Sequence, residues 1–203
     1  MKAIMAAEDG QKVKYTSQSK TVFYVNFETN FTVLSDQKTI IGVDSSYKSM
    51  VMEDITDSNQ TPIKFGKHGG TIYTLLFIEE SNILLAGDRN YHVIQYKFDP
   101  NKKTFTLTKD YGDLGISHIY SSTRVNNLII FGGYDYSFRV IDYEKMVIVG
   151  EKYETAIQKT TSLSICNVSP TQTLLSITGC NSSNYTNTRT DLLDITGLLE
   201  EYV

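Results

Sequence analysis

The chain has 203 residues, a net charge of −4, a sequence pI of about 5.4 and 40% hydrophobic residues. These values suit a globular domain, and the acidic balance argues against an extended basic surface for nucleic acid or anionic membranes. No segment approaches the ~20 apolar residues of a membrane span, and the N-terminal MKAIMAAEDG lacks the apolar core of a signal peptide. We therefore expect a soluble, intracellular, cytoplasmic protein with no membrane span.

From the N-terminus onward, the chain is a series of short runs rich in Val, Ile, Tyr, Phe and Thr, each bounded by Gly, Asn, Asp or Ser. Such runs, roughly 8–12 residues apart, predict an all-β sandwich, barrel or propeller. The clearest runs are TVFYVNF, KTIIGVD, TIYTLLFI, NILLAGD, HVIQYKFD, TFTLTKDY, NLIIFGG, FRVIDY and TLLSITG. Long amphipathic helices are missing from the pattern, which favours an all-β fold.

One phrase recurs along the chain. GVDSSYKSMVM, GDRNYHVIQY and GYDYSFRVIDY share an aspartate, an aromatic residue and a base, which aligns Asp44, Asp88 and Asp135 at offsets of 44 and 47 residues. Asp in tight turns accepts hydrogen bonds from backbone amides, so we interpret all three as structural turn residues. Each unit is predicted to hold four strands in about 44–52 residues, the blade period of a β-propeller. The inner strands are predicted at residues 22–27, 72–77, 116–121 and 163–168.

The second unit resembles a WD40 repeat. In FGKHGGTIYTLLFIEESNILLAGDRNYHVIQY, His68 belongs to an opened Gly-His pair, IYTLLF is similar to the family's Val-x-x-Val-x-Phe, and Asp88 stands at the turn. Tyr96 falls in the closing Trp-Asp region, although the chain has no tryptophan. The resemblance covers about residues 20–196. It implies a buried hydrogen-bond network of the His, the turn Asp and a Ser or Thr, which at most the second unit can complete.

The number of units leaves the closure of the propeller open. Four WD40-like blades are predicted, whereas a WD40 propeller usually closes with about seven. KVKYTSQ, within an N-terminal segment of residues 1–19, could supply the outer strand that the fourth unit lacks and close an atypical small ring. The alternatives are a partial, open propeller whose terminal blades dock on another chain, and a shortened sequence. The predicted blades are at about residues 20–66, 67–112, 113–156 and 157–203.

No catalytic, cofactor-binding or metal-binding constellation is predicted. The sequence lacks H-E-x-x-H, paired C-x-x-C and glycine-rich phosphate-loop motifs, and its two cysteines match no metal spacing. Ser117 and His118 are adjacent, but we place both on one strand, where neighbouring side chains point to opposite faces. We therefore expect no enzymatic activity and no cofactor.

The function predicted from these features is a non-enzymatic scaffold or protein–protein interaction module within a larger assembly. Propellers carry their binding sites on loops at a rigid rim. The expected partners are proteins, with another propeller-forming chain as one candidate, and no nucleic acid. The alternatives are a small-ligand or catalytic site at the central channel and a nucleic-acid-binding propeller. Matching to the family gives these candidate rim residues: Phe23, Tyr73, Ser117 and Ser164.

Overall fold

The computed structural model describes residues 13–16, 22–25, 31–44, 46–54, 56–57, 61–181 and 187–202, the first two ranges by their backbone alone. A hairpin comprises β1 (Val13–Thr16) and β2 (Val22–Val25). The first blade comprises β3 (Thr32–Val33), β4 (Thr39–Val43), β5 (Ser49–Asp54) and β6 (Ile63–Lys67). The second comprises β7 (Ile72–Ile78), β8 (Ile83–Asp88), β9 (His92–Asp99) and β10 (Thr104–Asp113).

The third blade comprises β11 (Ser121–Val125), β12 (Leu128–Gly132), β13 (Ser137–Asp142) and β14 (Val147–Glu154). The fourth comprises β15 (Lys159–Ser169), β16 (Gln172–Cys180) and β17 (Thr188–Asp194), followed by helix α1 (Thr196–Tyr202). Strands within each blade follow one another in antiparallel up-and-down order. The prediction of an all-β chain of four propeller-like blades is therefore confirmed.

Apolar clusters between consecutive blades form the core, because each central strand alternates its side chains between two neighbouring blades. The described residues form three such clusters. The first, between blades one and two, includes Ile41, Met50, Leu84 and Tyr96. The second, between blades two and three, includes Leu85, Tyr111, Phe131 and Tyr143. The third, between blades three and four, includes Ile130, Val149, Leu175 and Ile177.

A glycine near the end of the second strand marks one equivalent position in every blade. In blades two, three and four, this glycine pairs with Thr74, Ser121 and Thr160 on the neighbouring inner strand. A Cβ at Gly132 would lie 2.6 Å from the Thr160 methyl group, so a side chain would prevent this close approach. The glycines, spaced 45, 45 and 47 residues apart, are Gly42, Gly87, Gly132 and Gly179.

The strand register corrects the alignment of the third repeat by two residues. Gly87 pairs with Val93, and the equivalent Gly132 pairs with Phe138, so Gly133 rather than Asp135 takes the position of Asp88. A shift of two residues keeps each side chain on the same face of its strand. The alternation of apolar residues therefore could not reveal the error.

The N-terminal strand does not complete the fourth blade. β1 pairs with β2, and β2 approaches β4 of the first blade, so the described residues 13–16 lie in a separate hairpin and not in the sheet of the fourth blade. The prediction that residues 22–27 form the inner strand of the first blade is wrong, because β3 takes that place. Closing the short connection of a local hairpin costs less entropy than closing the long loop needed to pair the two ends of the chain.

The first and fourth blades differ in how their outward faces are covered. Ile40 and Val51 lie on the face of the first blade opposite the first cluster, and both are buried. On the corresponding face of the fourth blade, Val168 and Leu192 are 55% and 63% exposed. Helix α1 adds Leu198, Leu199 and Tyr202 to the third cluster, on the other face of that blade.

Candidate functional site at the upper rim

The upper rim is formed by the turns between second and third strands and by the loops that lead into the inner strands. Beneath it, in the second blade, lies a buried network of His68, Asp88 and Tyr96. Nδ1 of His68 lies 3.2 Å from Oδ2 of Asp88, and Nε2 lies 3.3 Å from the Tyr96 hydroxyl. A carboxylate only accepts, so Nδ1 donates to Asp88 and, in the neutral ring, Nε2 accepts from Tyr96. Tyr96 is thus the second hydrogen-bond partner of the His68 ring.

The Asp88 carboxylate is also anchored by the turn that follows it. Its Oδ1 accepts from the backbone amides of Asn90 and His92, at 2.8 and 3.2 Å. Burial acts to raise the pKa of Asp88, but the hydrogen bonds from His68 and from these amides outweigh burial, so the pKa lies below its ordinary value. Burial, with the carboxylates of Asp110 and Asp88 nearby, raises the pKa of Tyr96 to about 12. The network therefore holds an ionised Asp88 beside a neutral phenol at neutral pH.

The other two turn aspartates pair with lysines at the surface. Asp44 accepts from the amide and hydroxyl of Ser46, at 3.0 and 2.5 Å, and forms an ion pair with Lys64. Asp135 accepts from the hydroxyl of Ser137 at 2.5 Å and pairs with Lys152 at 3.3 Å. Each aspartate therefore bonds to its own turn, but only Asp88 is coupled to a buried histidine.

Tyrosines with left-handed backbones occupy three of these turns. Tyr47, Tyr91 and Tyr136 have φ angles of 58°, 73° and 61°. Their carbonyl oxygens accept from amides that lead into or join the following blade, at 2.7, 3.1 and 2.7 Å. A left-handed φ is costly for a residue with a bulky side chain. These backbone hydrogen bonds offset that cost, but they do not depend on the side chain and so do not explain why the residue is a tyrosine. Tyr91 and Tyr136 are 38% and 44% exposed.

The structure describes the side chains of three of the four predicted rim residues. Phe23 lies on β2, where the side chains are outside the described residues. Tyr73 lies at the upper end of β7 and is buried. Ser117 lies in the loop before β11 rather than on a strand. Ser164 lies in the middle of β15, exposed on the outward face of the fourth blade. The prediction took the first apolar residue as the start of each inner strand, but Ile116 lies in a loop.

Aligning the blades on the repeated glycine of their second strands makes Tyr120 and Lys159 equivalent to Tyr73. Each precedes the residue that faces the repeated glycine, and the three side chains converge. The rings of Tyr73 and Tyr120 have centroids 4.7 Å apart, and Nζ of Lys159 lies 4.2 Å from the centroid of Tyr120. Lys159 is 5% exposed, so this cation–π contact is shielded from water. Three adjacent blades therefore join through one aromatic and cationic group.

Above this group lies a surface that we name the rim patch: Arg89, Tyr91, His118, Tyr120 and Tyr134. His118 is its centre, with ring centroids of Tyr91, Tyr120 and Tyr134 at 6.0, 6.0 and 6.1 Å. Nε of Arg89 donates to Nε2 of His118 at 3.2 Å. Arg89 and Tyr91 are exposed, and the other three are partly exposed. The rim patch thus presents stacked rings and a guanidinium group to solvent.

Ser117 and His118 do make contact, contrary to the expectation that they point apart. Oγ of Ser117 lies 2.8 Å from Nδ1 of His118, because a bend and not a strand carries both residues. Arginine can only donate, so Nε2 of His118 accepts from Arg89 and the neutral ring carries its proton on Nδ1. Nδ1 then donates to Ser117 and cannot take its proton. In this arrangement His118 does not activate Ser117 as a nucleophile.

Sequence reasoning missed most of the rim patch, although one signal was present. The glycine repeat of the second strands fixes which residue faces each glycine once the strand pairs are known. From there, Tyr120 and Lys159 follow directly. No sequence repeat locates Tyr134 and Arg89, because only the fold brings their turns towards His118.

Across the described ranges, no three His, Cys, Asp or Glu side chains gather where they could hold a metal ion. None of the helical segments that the structure describes has the length and apolar character needed to span a membrane.

Comparison with known proteins defines the class of this chain by its fold. No family model matches the sequence, and no curated protein matches it. Among solved structures, the computationally designed Ika4 protein, a propeller, is similar with a TM-score of 0.53 and 12% identity. The match covers 77% of this chain and 85% of that chain. The chain is thus similar in fold to a small propeller.

Proposed function

We propose that this chain is a WD40-like, non-enzymatic protein-interaction module that works as a subunit of a larger assembly, and that the rim patch binds its protein partner. The observation that carries the proposal is the gathering of Arg89, Tyr91 and Tyr134 around His118. Tyrosine and arginine are enriched among the residues that dominate binding energy at protein interfaces. A patch fixed by mutual contacts also loses little side-chain entropy when a partner binds.

Two observations favour the WD40 part of the proposal and the absence of catalysis. The His68–Asp88 pair has the residue types and the place in the blade that the WD40 resemblance implies. The hydrogen-bond directions at His118 leave Ser117 without a base. The exposed outward face of the fourth blade is a second surface for assembly, and another propeller-forming chain would suit it, since blade faces pack on blade faces elsewhere in this molecule.

The test has two stages. The tagged chain is cross-linked in an extract of its source, bound proteins are identified by mass spectrometry, and one partner is purified for direct affinity measurements. We expect Tyr91→Asn and Arg89→Ala each to weaken binding by about tenfold or more. Asparagine tolerates a left-handed backbone, so Tyr91→Asn removes the ring while keeping the turn.

The matched control is Leu107→Asn, which changes an exposed apolar residue on β10 outside the rim patch. This variant should bind the partner as the unchanged chain does. Equal affinity of the unchanged chain and an Arg89→Ala, Tyr91→Asn double variant would overturn the assignment of the rim patch. A stable monomer in light scattering that captures no protein would overturn the proposed function as a whole.

A further inference from the structure

Arg89 is fixed at the rim by hydrogen bonds from its backbone and from its side chain. Its amide donates to the carbonyl oxygen of Thr71 at 2.8 Å, and its Nε donates to Nε2 of His118 at 3.2 Å. The amide of the next residue, Asn90, donates to the buried carboxylate of Asp88 at 2.8 Å. The turn and the guanidinium group are therefore both oriented before a partner binds, which lowers the entropy cost of binding.

The histidine that accepts from Arg89 is itself held by a packed bend. The φ angle of His118 is 44°, and the bend lies so close to Gly133 that a side chain there would collide with the carbonyl oxygen of Ser117. The same carbonyl oxygen accepts from the amide of Tyr134 at 2.5 Å. The fold thus sets the position of the His118 ring and, through it, the direction in which Arg89 points.

The terminal nitrogens of Arg89 differ from those of the other three arginines. Each of the others uses a terminal nitrogen to bind an acceptor of the chain itself: Arg124 with Glu80, Arg139 with Gly150, and Arg189 with Asp191. Within the part of the chain that the structure describes, neither Nη1 nor Nη2 of Arg89 has a hydrogen bond or an ion pair. Arg89 therefore keeps an unpaired positive charge in a chain whose net charge is −4.

The free edge of Arg89 suits a carboxylate. A guanidinium group presents its donors as a planar fork that matches the two oxygens of a carboxylate. Because His118 accepts the Nε hydrogen, the edge formed by Nη1 and Nη2 is the one left for a partner. Tyr91, on the same turn and 38% exposed, contacts the other side of this surface, with its ring centroid 6.0 Å from that of His118. The surface therefore offers a place for an anion and, next to it, a place for an apolar group.

We infer that the rim patch binds an acidic segment of its protein partner, with the carboxylate of an Asp or Glu residue on the terminal nitrogens of Arg89 and an adjacent apolar side chain on the ring of Tyr91. The inference rests on the proposed function, because it names the chemistry of the partner for the same surface. A neutral segment would cover the guanidinium group without supplying an acceptor, and such an unpaired charge is costly. The patch should therefore discriminate against neutral segments.

The experiment titrates the full chain with dipeptides that are acetylated and amidated at their ends, and follows the NMR shifts of the rim patch. Phe-Glu carries both groups, Phe-Gln replaces the carboxylate by a neutral amide of the same shape, and Ala-Glu lacks the ring. We expect Phe-Glu to bind about fivefold more tightly than either of the others, and added salt to reduce its advantage over Phe-Gln. Equal affinities of Phe-Glu and Phe-Gln, or no shift of the rim patch at about 10 mM peptide, would overturn the inference.

Variants of Arg89 separate the fork from the charge. Arg89→Gln should abolish the difference between Phe-Glu and Phe-Gln, whereas Arg89→Lys keeps the charge without the fork and should retain only part of it. Arg189→Gln is the matched control, because it also removes an exposed arginine, but one whose Nη2 already bonds to Asp191 at 2.5 Å. The control should leave the difference unchanged. An equal loss in Arg89→Gln and Arg189→Gln would show attraction to the overall charge of the chain and would contradict the inference.

Phosphate is the other common anion that fits an arginine fork. A blocked dipeptide of Phe and phosphoserine therefore completes the set of probes. Tighter binding of this probe than of Phe-Glu, with equal binding of Phe-Glu and Phe-Gln, would assign the patch to phosphate and overturn the acidic segment.

The partner protein that the chain captures separates this inference from the proposed function. Each Asp and Glu of its contact segment is replaced by Asn or Gln, and one of these changes should weaken binding as much as Arg89→Ala does. If Arg89→Ala weakens binding and none of these changes does, the proposed function stands and the inference is overturned. If no protein is captured but the patch still selects Phe-Glu over Phe-Gln, the proposed function fails and the inferred chemistry of the patch is supported.

Discussion

The second blade and its two neighbours use a turn aspartate in different ways. In the second blade, Asp88 is buried and hydrogen-bonded to His68, which in turn contacts Tyr96. In the first and third blades, Asp44 and Asp135 pair with lysines whose side chains are 62% and 40% exposed. A buried charge that loses its partner is costly, whereas an exposed ion pair contributes little. The same residue type thus stabilises one blade strongly and the others weakly.

The largest expected effect comes from removing the partner of the buried carboxylate. His68→Leu should lower the free energy of unfolding by about 3 kcal/mol, because Oδ2 of Asp88 loses its buried donor while Oδ1 keeps the two turn amides. Urea denaturation, followed by circular dichroism, measures the change. A loss below about 1 kcal/mol would show that Asp88 does not depend on His68 and would remove the contrast between the blades.

A smaller effect is expected at the phenol of the same network. Tyr96→Phe should cost about 1 kcal/mol at neutral pH, because one hydrogen bond to His68 is lost. The folded-state pKa of Tyr96 is raised from 10.0 to about 12, so its contribution is full below pH 10 and is lost as the pH rises towards 12. Denaturation midpoints between pH 9 and about 12 should therefore fall less steeply in Tyr96→Phe. Identical profiles for the variant and the unchanged chain would contradict this expectation.

The smallest effects are expected at the exposed pairs. Lys64→Met and Lys152→Met should each change the free energy of unfolding by less than about 1 kcal/mol, and added salt should shrink the difference. Urea denaturation at low and high salt tests both statements. A loss in Lys64→Met as large as that in His68→Leu would mean that exposure does not separate the blades.

The blades were predictable from sequence because two local signals agree. Alternating apolar runs predict strands, and a recurring turn phrase predicts the period. The pairing of β1 was not predictable in this way, because the sequence marks it as a strand but does not say which edge it joins. The two-residue error at Asp135 arose because a shift of two keeps every side chain on its face.

The site was less predictable than the fold. His68 and Asp88 could be named because the WD40 resemblance links two residue types at a set spacing. The rim patch depends instead on contacts between turns that are far apart in sequence, such as Tyr91 with His118 and His118 with Tyr134. The structure puts Ser117 in the loop before β11 and Ser164 in the middle of β15, because these inner strands begin at Ser121 and Lys159 and not at the first apolar residue.

The uncovered outward face of the fourth blade sets the order in which the blades are expected to open. In a row of units that touch only their neighbours, stability is a sum of units and of the interfaces between them. On its outward face the first blade buries Ile40 and Val51 and leaves Val33 47% exposed, whereas the fourth exposes Leu192 and Val168 on the corresponding face. Local opening requires least free energy where a unit has fewest interfaces. Local unfolding should therefore start at the fourth blade and spread towards the first.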